Sequence, residues 1–321
     1  MEKECVGVFL GESLAEYHFG PDHPFGDKRY TAFMTGFKQR GLDKMTRIFT
    51  PGSVKQEQLA LFHTTDYIQQ VRQRSEHGVG YFDQGDTPVV KGIYQAAATV
   101  VGTTLKAIDV IMQGKCNKAF VPIAGLHHAR RDHAAGFCVF NDCGVAIEYL
   151  KAKYNLQRIA YVDIDAHHGD GVFYEFEYDP VVTIIDFHGD YMYPGTGAAG
   201  ETGKGRAEGR KLNIPLPIGA DDELALTLWP AAEAFLLDSQ PEFIILQCGA
   251  DSIAGDPITH LRLSQHFHRH VAERCGQLAK QVADGRVLAL GGGGYNLENI
   301  AEGWNAVIEG LLASSNHRRK K

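Results

Sequence analysis

The sequence lacks both a long apolar run and an excess of positive charge. A membrane helix needs about 20 consecutive apolar residues, and no run in this chain approaches that length. The chain has 32 Lys and Arg against 39 Asp and Glu, a net charge of −7 before histidine is counted. Binding to a phosphate backbone needs concentrated positive charge. We therefore expect no membrane association and no direct nucleic-acid partner.

The sequence also lacks closely spaced pairs of cysteines. The six cysteines have no C-x-x-C spacing, so neither a zinc ribbon nor a thioredoxin-type motif is supported. A chain large enough to be stabilised by its core has little need of a disulfide framework. The segment Met1–Glu4 contains two acids where a secretory signal needs positive charge. These features predict a cytoplasmic protein with reduced thiols.

The 321 residues are 44% apolar and 22% charged, as in an ordinary globular chain. Continuously apolar runs predict buried strands at Cys5–Leu10, Ala119–Ile123, Arg158–Ile164, Val181–Asp186, Lys211–Pro215, Phe243–Gln247 and Val287–Leu290. Helical periodicity appears in Gly92–Gln113, Cys143–Tyr154, Asp222–Leu237, Leu263–Ala283 and Leu297–Leu312. The alternation predicts an α/β fold, a single domain with an open, mostly parallel sheet and helices on both faces. We expect this domain to span residues 1–314 and residues 315–321 to form a basic tail.

Acids and histidines crowd the end of the predicted strand Arg158–Ile164. Ligands of open α/β sheets bind beyond the carboxyl ends of the strands. Asp163, Asp165 and His167 are two apart, so on an extended chain they share one face, and such a donor set suits Zn²⁺ or Fe²⁺. Helix capping is the simpler explanation for one acid, but it does not account for so many at one strand end.

A third metal ligand is expected after another strand. Catalytic zinc sites commonly have three protein ligands and one open position. Asp251 follows Phe243–Gln247 and so reaches the same sheet edge as Asp165 and His167. A turn cap is the alternative for Asp251 taken alone. Its placement favours the metal ligand.

Two further motifs follow predicted strands. Adjacent histidines should point apart on a strand, so His127 and His128 predict a proton-handling pair rather than metal ligands. Asp163 and Asp170 are available to orient them. The run Gly291–Gly294 lacks the context of a phosphate-binding loop and instead suggests close backbone approach that presents the Tyr295 hydroxyl as an oxyanion donor. Structural histidines and a plain glycine turn remain the alternatives for these two motifs.

Together these motifs resemble the zinc-dependent histone deacetylase family, including its bacterial acetoin-utilisation members, whose fold is also that of arginase. The similarity begins at Gly20-Pro21-Asp22-His23-Pro24, continues through His63–Ile68 and ends at Gly294-Tyr295. The resemblance implies hydrolysis of an N6-acetyl-lysine amide in a peptide or protein. Other acylated small molecules are alternative substrates, and the oligomeric state stays open.

The resemblance also implies a role for each matching position. Asp165, His167 and Asp251 would bind Zn²⁺, with Fe²⁺ as the alternative. The catalytic positions would be the tandem histidines, their two carboxylates and the tyrosine, that is His127, His128, Asp163, Asp170 and Tyr295. Substrate-binding positions would be the rim carboxylate Asp86, the channel walls Gly136, Phe137 and Tyr193, and Arg29 at the inner end. Structural K⁺ would bind backbone oxygens of Asp163, Asp165, His167 and Phe187.

The sequence departs from the family at three places. Asp186 stands where relatives often have serine beside the potassium ion, and the stretch His23–Arg29 lacks a second proline. Ile258 replaces the acidic residue of polyamine-specific relatives. Because a buried cationic amine needs a nearby carboxylate, Ile258 favours a peptide over a polyamine.

Three other functions are compatible with parts of this pattern. A manganese ureohydrolase of arginase type would need further carboxylates for a second metal, which the Asp251–Asp256 spacing does not obviously supply. A polyamine deacetylase would prefer acetyl-spermidine to an acetyl-lysine peptide. A catalytically silent binding module would show no acetyl-lysine hydrolysis at all.

Overall fold

The computed structural model describes residues 5–316 and builds them around one sheet of eight parallel strands. The strands are β1 (Val6–Phe9), β2 (Arg47–Phe49), β3 (Lys118–Val121), β4 (Ile159–Asp163), β5 (Val182–Gly189), β6 (Lys211–Leu216), β7 (Phe243–Gln247) and β8 (Val287–Leu290). Their order across the sheet is β2-β1-β3-β8-β7-β4-β5-β6. The predicted α/β class with an open parallel sheet is confirmed.

Ten helices connect and cover the strands in the described part of the chain. They are α1 (Glu12–Ala15), α2 (Arg29–Gln39), α3 (Gln56–Leu59), α4 (Thr65–His77), α5 (Ile93–Met112), α6 (Asp142–Tyr154), α7 (Asp170–Phe173), α8 (Asp222–Asp238), α9 (Gln265–Val282) and α10 (Leu297–Asn316). Helix α5 contacts the sheet at β1, β3 and β8, and α6 packs against α5. A second group, α8, α9 and α10, packs on β5 to β8 and β1. No helix among the described residues is long and apolar enough to cross a membrane.

Side-chain caps fix where several helices begin. The side chains of Thr64, Asn141 and Asp221 accept hydrogen bonds from backbone N–H groups in the first turns of α4, α6 and α8. Such caps satisfy donors that have no partner within the helix. Helix α10 continues through Asn316, so Ser315 and Asn316 of the predicted tail are helical. Residues 317–321 of that tail lie outside the described residues.

The expectation that all cysteines are reduced thiols is wrong for two of them. Cys5 and Cys116 form a disulfide, with their Cα atoms 5.0 Å apart. Each lies just before a strand, and β1 and β3 pair in parallel with Val6 opposite Lys118. The starts of the two strands are therefore adjacent in space although the cysteines are 111 residues apart. The other four cysteines are buried free thiols.

The central strands carry the chemistry-bearing segments. Strands β3, β8, β7 and β4 are consecutive in the sheet and run in the same direction. Their carboxyl ends therefore meet at one edge, as expected for parallel strands. This edge brings together the segments that follow Val121, Asp163, Gln247 and Leu290.

Candidate active site

Three buried side chains meet beyond the ends of β4 and β7. Nδ1 of His167 lies 3.2 Å from Oδ1 of Asp165 and 3.2 Å from Oδ2 of Asp251. One ligand atom from each residue lies within 4.8 Å of the others. This geometry allows one ion to touch all three, which the sequence analysis required.

The charge around these three residues fits a divalent cation. Although burial opposes a charged ring, Asp165 and Asp251 raise the pKa of His167 to about 10. Burial and then Asp165 raise the pKa of Asp251 to about 7. Both shifts show that the space between these three side chains favours bound positive charge, which a cation can supply in place of protons. A cation such as Zn²⁺ or Fe²⁺, which binds carboxylate oxygen and imidazole nitrogen, suits this donor set.

Backbone groups and one amide orient these candidate ligands. Gln247 donates from Nε2 to Oδ2 of Asp165 at 2.8 Å, and the Gly293 N–H donates to the same oxygen at 2.9 Å. The Ala166 N–H donates to Oδ1 of Asp251 at 2.9 Å. The sequence analysis missed Gln247. Its signal was a polar residue ending an otherwise apolar buried strand.

The two adjacent histidines converge rather than diverge. Their Nε2 atoms are 3.1 Å apart, which overturns the expectation that the rings point apart. The reason is local: β3 ends at Val121, and the chain then turns through positive φ at Ile123 and Gly125, so the histidines are not on an extended strand. Each ring still has its own carboxylate. His127 Nδ1 lies 2.8 Å from Asp163, and His128 Nδ1 lies 2.7 Å from Asp170.

The pKa values of the two histidines are shifted in opposite directions. Burial disfavours a charged ring, but Asp163 and then Asp165 outweigh it and raise the pKa of His127 to about 10. Burial and the neighbouring His127 lower the pKa of His128 to about 4. At neutral pH the pair therefore holds a protonated His127 beside a neutral His128. A neutral imidazole can accept a proton, and its partner sets the local charge.

Two partners of the histidine carboxylates were not anticipated from the sequence. The Tyr161 hydroxyl donates to Oδ2 of Asp163 at 2.6 Å, and Arg130 donates to Oδ2 of Asp170 at 3.1 Å. Tyr161 lies within β4, two residues before Asp163, so it reaches the same side of the sheet. Each carboxylate is thus held by a second group besides its histidine.

A pocket of about 240 Å³ opens from these groups to the surface. Its lining residues are Asp86, His128, Gly136, Phe137, His167, Tyr193, Ile258 and Tyr295. Of the predicted catalytic residues, His128 and Tyr295 lie at this pocket with His167 and the predicted wall and rim residues. Ile258, the substitution noted from the sequence, lies at the same pocket.

The rim of the pocket is tied to its wall. Asp86 belongs to a loop in which Asp83 accepts backbone N–H groups of residues 85 to 87. The Phe137 N–H donates to the Thr87 hydroxyl at 3.1 Å. The His23 ring packs on Phe137 and lies 3.2 Å from the Asp86 carbonyl oxygen. Asp86 is therefore presented by a loop anchored to the wall residue.

The glycine run brings backbone close to the candidate ligands and ends at Tyr295. A Cβ at Gly293 would lie 2.1 Å from Oδ2 of Asp251, so only glycine fits there. The Tyr295 ring packs edge-on against Phe137, with ring centroids 5.7 Å apart. Burial, followed by Asp251 and Asp165, raises the pKa of Tyr295 well above its usual range, which keeps the hydroxyl protonated as a donor.

Arg29 lies behind the glycine run. It is buried and donates to the carbonyl oxygens of Gly292 and Gly294 at 2.7 and 2.8 Å. Arg29 is not among the residues that line the 240 Å³ pocket. A smaller cavity of about 10 Å³ lies between the glycine run and the tandem histidines, and Arg29 reaches this region through its contacts with the glycines.

Asp186, which stands where relatives often have serine, is buried beside His168. It accepts from the Gly169 N–H at 2.9 Å and lies 2.8 Å from Nδ1 of His188. The potassium site expected on backbone oxygens of Asp163, Asp165, His167 and Phe187 stays a prediction.

Residues 23–311 match the family model for the histone deacetylase domain. The chain belongs to the histone deacetylase family. Members of this family are hydrolases that are generally metal-dependent, which agrees with the three converging side chains. The family assignment made from the sequence motifs is confirmed.

Similar proteins include bacterial and animal members of this histone deacetylase family. The acetoin utilization protein AcuC of Bacillus subtilis (strain 168) is 38% identical over 304 residues, covering 91% of this chain and 78% of that protein. Histone deacetylase 8 of Xenopus tropicalis is 35% identical over 294 residues, covering 86% and 76%. The crystal structure of the HDA15 HD domain superposes with a TM-score of 0.88 at 25% identity, covering 97% of this chain and 90% of that one.

Proposed function

We propose that this protein hydrolyses the amide of N6-acetyl-lysine in a peptide or protein and releases acetate and the free lysine. The observation that carries the proposal is the meeting of Asp165, His167 and Asp251 beside a pocket that also exposes His128 and Tyr295. Deacetylase activity agrees with the family, and the acetyl-lysine substrate is the further step proposed here.

Asp165, His167 and Asp251 would hold the metal, Zn²⁺ with Fe²⁺ as the alternative. A divalent ion bound there polarises a carbonyl group and makes water a stronger nucleophile near neutral pH. Gln247 and Gly293 keep Asp165 oriented. Structural K⁺ on the backbone oxygens named above is part of this proposal.

The pocket walls position the substrate. Phe137 and Tyr193 line the pocket, and their rings are suited to pack against the methylenes of an acyl-lysine side chain. Gly136 has no side chain, so the passage beside His128 stays open. Asp86 at the rim can accept hydrogen bonds from the backbone N–H groups of a bound peptide.

The histidines and Tyr295 supply the proton chemistry. Neutral His128 accepts the proton of the attacking water at Nε2, while Asp170 at Nδ1 stabilises the resulting imidazolium. Tyr295 donates its hydroxyl to the amide oxygen as negative charge develops there. His128 then gives the proton to the leaving amine, so the histidine returns to its neutral form.

A direct comparison of substrates tests this function. We expect an acetyl-lysine peptide to be hydrolysed with at least a tenfold higher kcat/KM than acetyl-spermidine, on the order of 1.4 kcal/mol, and a chelator to abolish turnover. Ile258→Glu adds a carboxylate at the pocket, so it should raise the activity on acetyl-spermidine. The matched Ile258→Gln variant should not. Preference of the unmodified chain for acetyl-spermidine, or release of urea from arginine, would contradict the proposal.

A further inference from the structure

Lys211 is a buried lysine far along the sheet from the proposed metal site. It is the first residue of β6, in the edge strand next to β5, and only 1% of its surface is exposed. Burying an ammonium group is costly unless its donors find partners. The partners of Nζ therefore decide what this residue does.

Backbone carbonyl oxygens are those partners. Nζ of Lys211 donates to the carbonyl oxygen of Asp179 at 3.1 Å and to that of Val182. Among residues 5–316, no carboxylate oxygen lies within ion-pair distance of this ammonium. The nearby acids are paired elsewhere, because Lys151 contacts the Asp179 carboxylate at 2.7 Å and Lys204 contacts Glu177 at 3.0 Å.

The two carbonyls lie at the start of β5, that of Asp179 in the turn before the strand and that of Val182 in the strand itself. Val182 is the first residue of β5, and the Asp179 carboxylate accepts the Val181 N–H at 2.9 Å. The Lys211 N–H donates to the Thr202 carbonyl oxygen at 3.2 Å, within the loop that begins near Tyr193. Lys211 thus connects this turn, the edge strand and the end of the loop that carries a pocket wall.

We propose that the carbonyl cluster of Asp179 and Val182 is a monovalent-cation site whose cation is the side-chain ammonium of Lys211. Carbonyl oxygens without a carboxylate are the donors that replace the hydration shell of K⁺. An ammonium group offers three N–H donors to the same oxygens. Burial lowers the pKa of Lys211 to about 7, and the negative charge of Asp179, followed by that of Glu177, opposes this shift. This inference is independent of the reaction proposed above.

The test removes the ammonium and offers ions in its place. Lys211→Ala frees the carbonyls and leaves space for an ion, whereas Lys211→Met removes the charge but fills the space. Lys106→Ala is the matched control. Nζ of Lys106 also donates to backbone carbonyls, those of Thr50 and Pro51, but at the surface, where water can replace it. Thermal unfolding of the full chain is measured in NaCl, KCl and NH4Cl at equal ionic strength, together with the unmodified protein.

In NaCl we expect Lys211→Ala to lower Tm by about 4 °C or more, and KCl or NH4Cl to recover at least half of that loss. Lys211→Met should lose stability without recovery. The unmodified chain and Lys106→Ala should show a smaller difference between the salts than Lys211→Ala. If Lys211→Ala does not fold in NaCl, refolding in KCl but not NaCl supports the proposal. An equal response of Lys211→Ala and the unmodified chain to K⁺, or no folding in any salt, overturns it.

Discussion

At the scale of single residues, Tyr295→Phe tests the proposed chemistry by removing one hydroxyl group while the ring stays in place. Removing one oxyanion donor commonly costs on the order of 10²–10³ in rate. We therefore expect Tyr295→Phe to lower kcat by about that factor, because the ring packing on Phe137 stays intact while the donor is lost. Tyr191→Phe is the control, since Tyr191 is 90% exposed. A loss below about threefold in kcat for Tyr295→Phe would contradict the role.

His128 is predicted to act in proton transfer and not in metal binding. His128→Ala should lower kcat by about 10²–10⁴-fold, the usual contribution of a positioned acid or base. The metal content should stay unchanged, because His128 lies outside the Asp165–His167–Asp251 group. His133→Ala is the matched control, since His133 is exposed and its ring contacts the neighbouring Asp132. Activity near that of the control would exclude His128 as the base.

Residues differ in how far the sequence could place them. Asp165, His167 and Asp251 follow strands, and parallel strands end at a common edge, so their convergence could be reasoned from position alone. The walls Phe137 and Tyr193 lie in loops with no periodic signal and came only from the family resemblance. Gln247 was missed because hydrogen bonding between neighbouring strand ends depends on the strand order, which the sequence did not give.

At the scale of elements, the loop between β3 and α6 is predicted to tolerate no side chain at position 136. Gly136 has φ of 54°, and a Cβ there would lie 2.5 Å from the His128 ring and 3.0 Å from the Tyr193 ring. Displacing a catalytic group by about 1 Å can cost 10²-fold in rate. We expect Gly136→Ala to lower kcat/KM by at least about 10²-fold, with the folded structure retained by circular dichroism.

Gly200 provides the control for this loop effect. It has ordinary backbone geometry, and a Cβ built there meets no atom within 4 Å. Gly200→Ala should therefore keep the kcat/KM of the unmodified chain. If the two alanine variants had equal activity, the close approach at Gly136 would have no functional consequence.

The elements that were predicted share a strong apolar pattern, and those that were missed lack it. Strands β7 and β8 have the predicted bounds because all their residues are buried. Strand β2 was missed because it is three residues long, and two of them are exposed. Helix α4 was missed because only a narrow face is buried, at Tyr67, Ile68, Val71 and Ser75. The disulfide was missed because it depends on which strands are neighbours.

At the scale of the whole molecule, the buried His63 makes the free energy of unfolding depend on pH. It accepts the Asn141 N–H at 2.9 Å, and burial lowers its pKa to about 3. Below about pH 6.5 the unfolded chain binds a proton at His63 that the folded chain does not bind. The free energy of unfolding should therefore fall as the pH drops from about 6.5 towards 3, by up to about 1.4 kcal/mol per pH unit from this residue.

The pH dependence of unfolding in a His63 variant checks this coupling. In His63→Gln the amide oxygen can still accept the Asn141 N–H but does not titrate, so the loss of stability between about pH 6.5 and 4 should be shallower. His133→Gln, at an exposed histidine, should leave the profile unchanged. An identical acid profile for His63→Gln and the unmodified chain would contradict the coupling.

The account depends most on one divalent ion held by Asp165, His167 and Asp251. Metal analysis of the purified chain, beside the Asp251→Ala variant, measures this directly. We predict one Zn²⁺ or Fe²⁺ per chain in the unmodified protein, loss of that ion in Asp251→Ala, and loss of acetyl-lysine hydrolysis with it. Two divalent ions per chain, or a divalent ion and an activity that survive Asp251→Ala, would contradict the account.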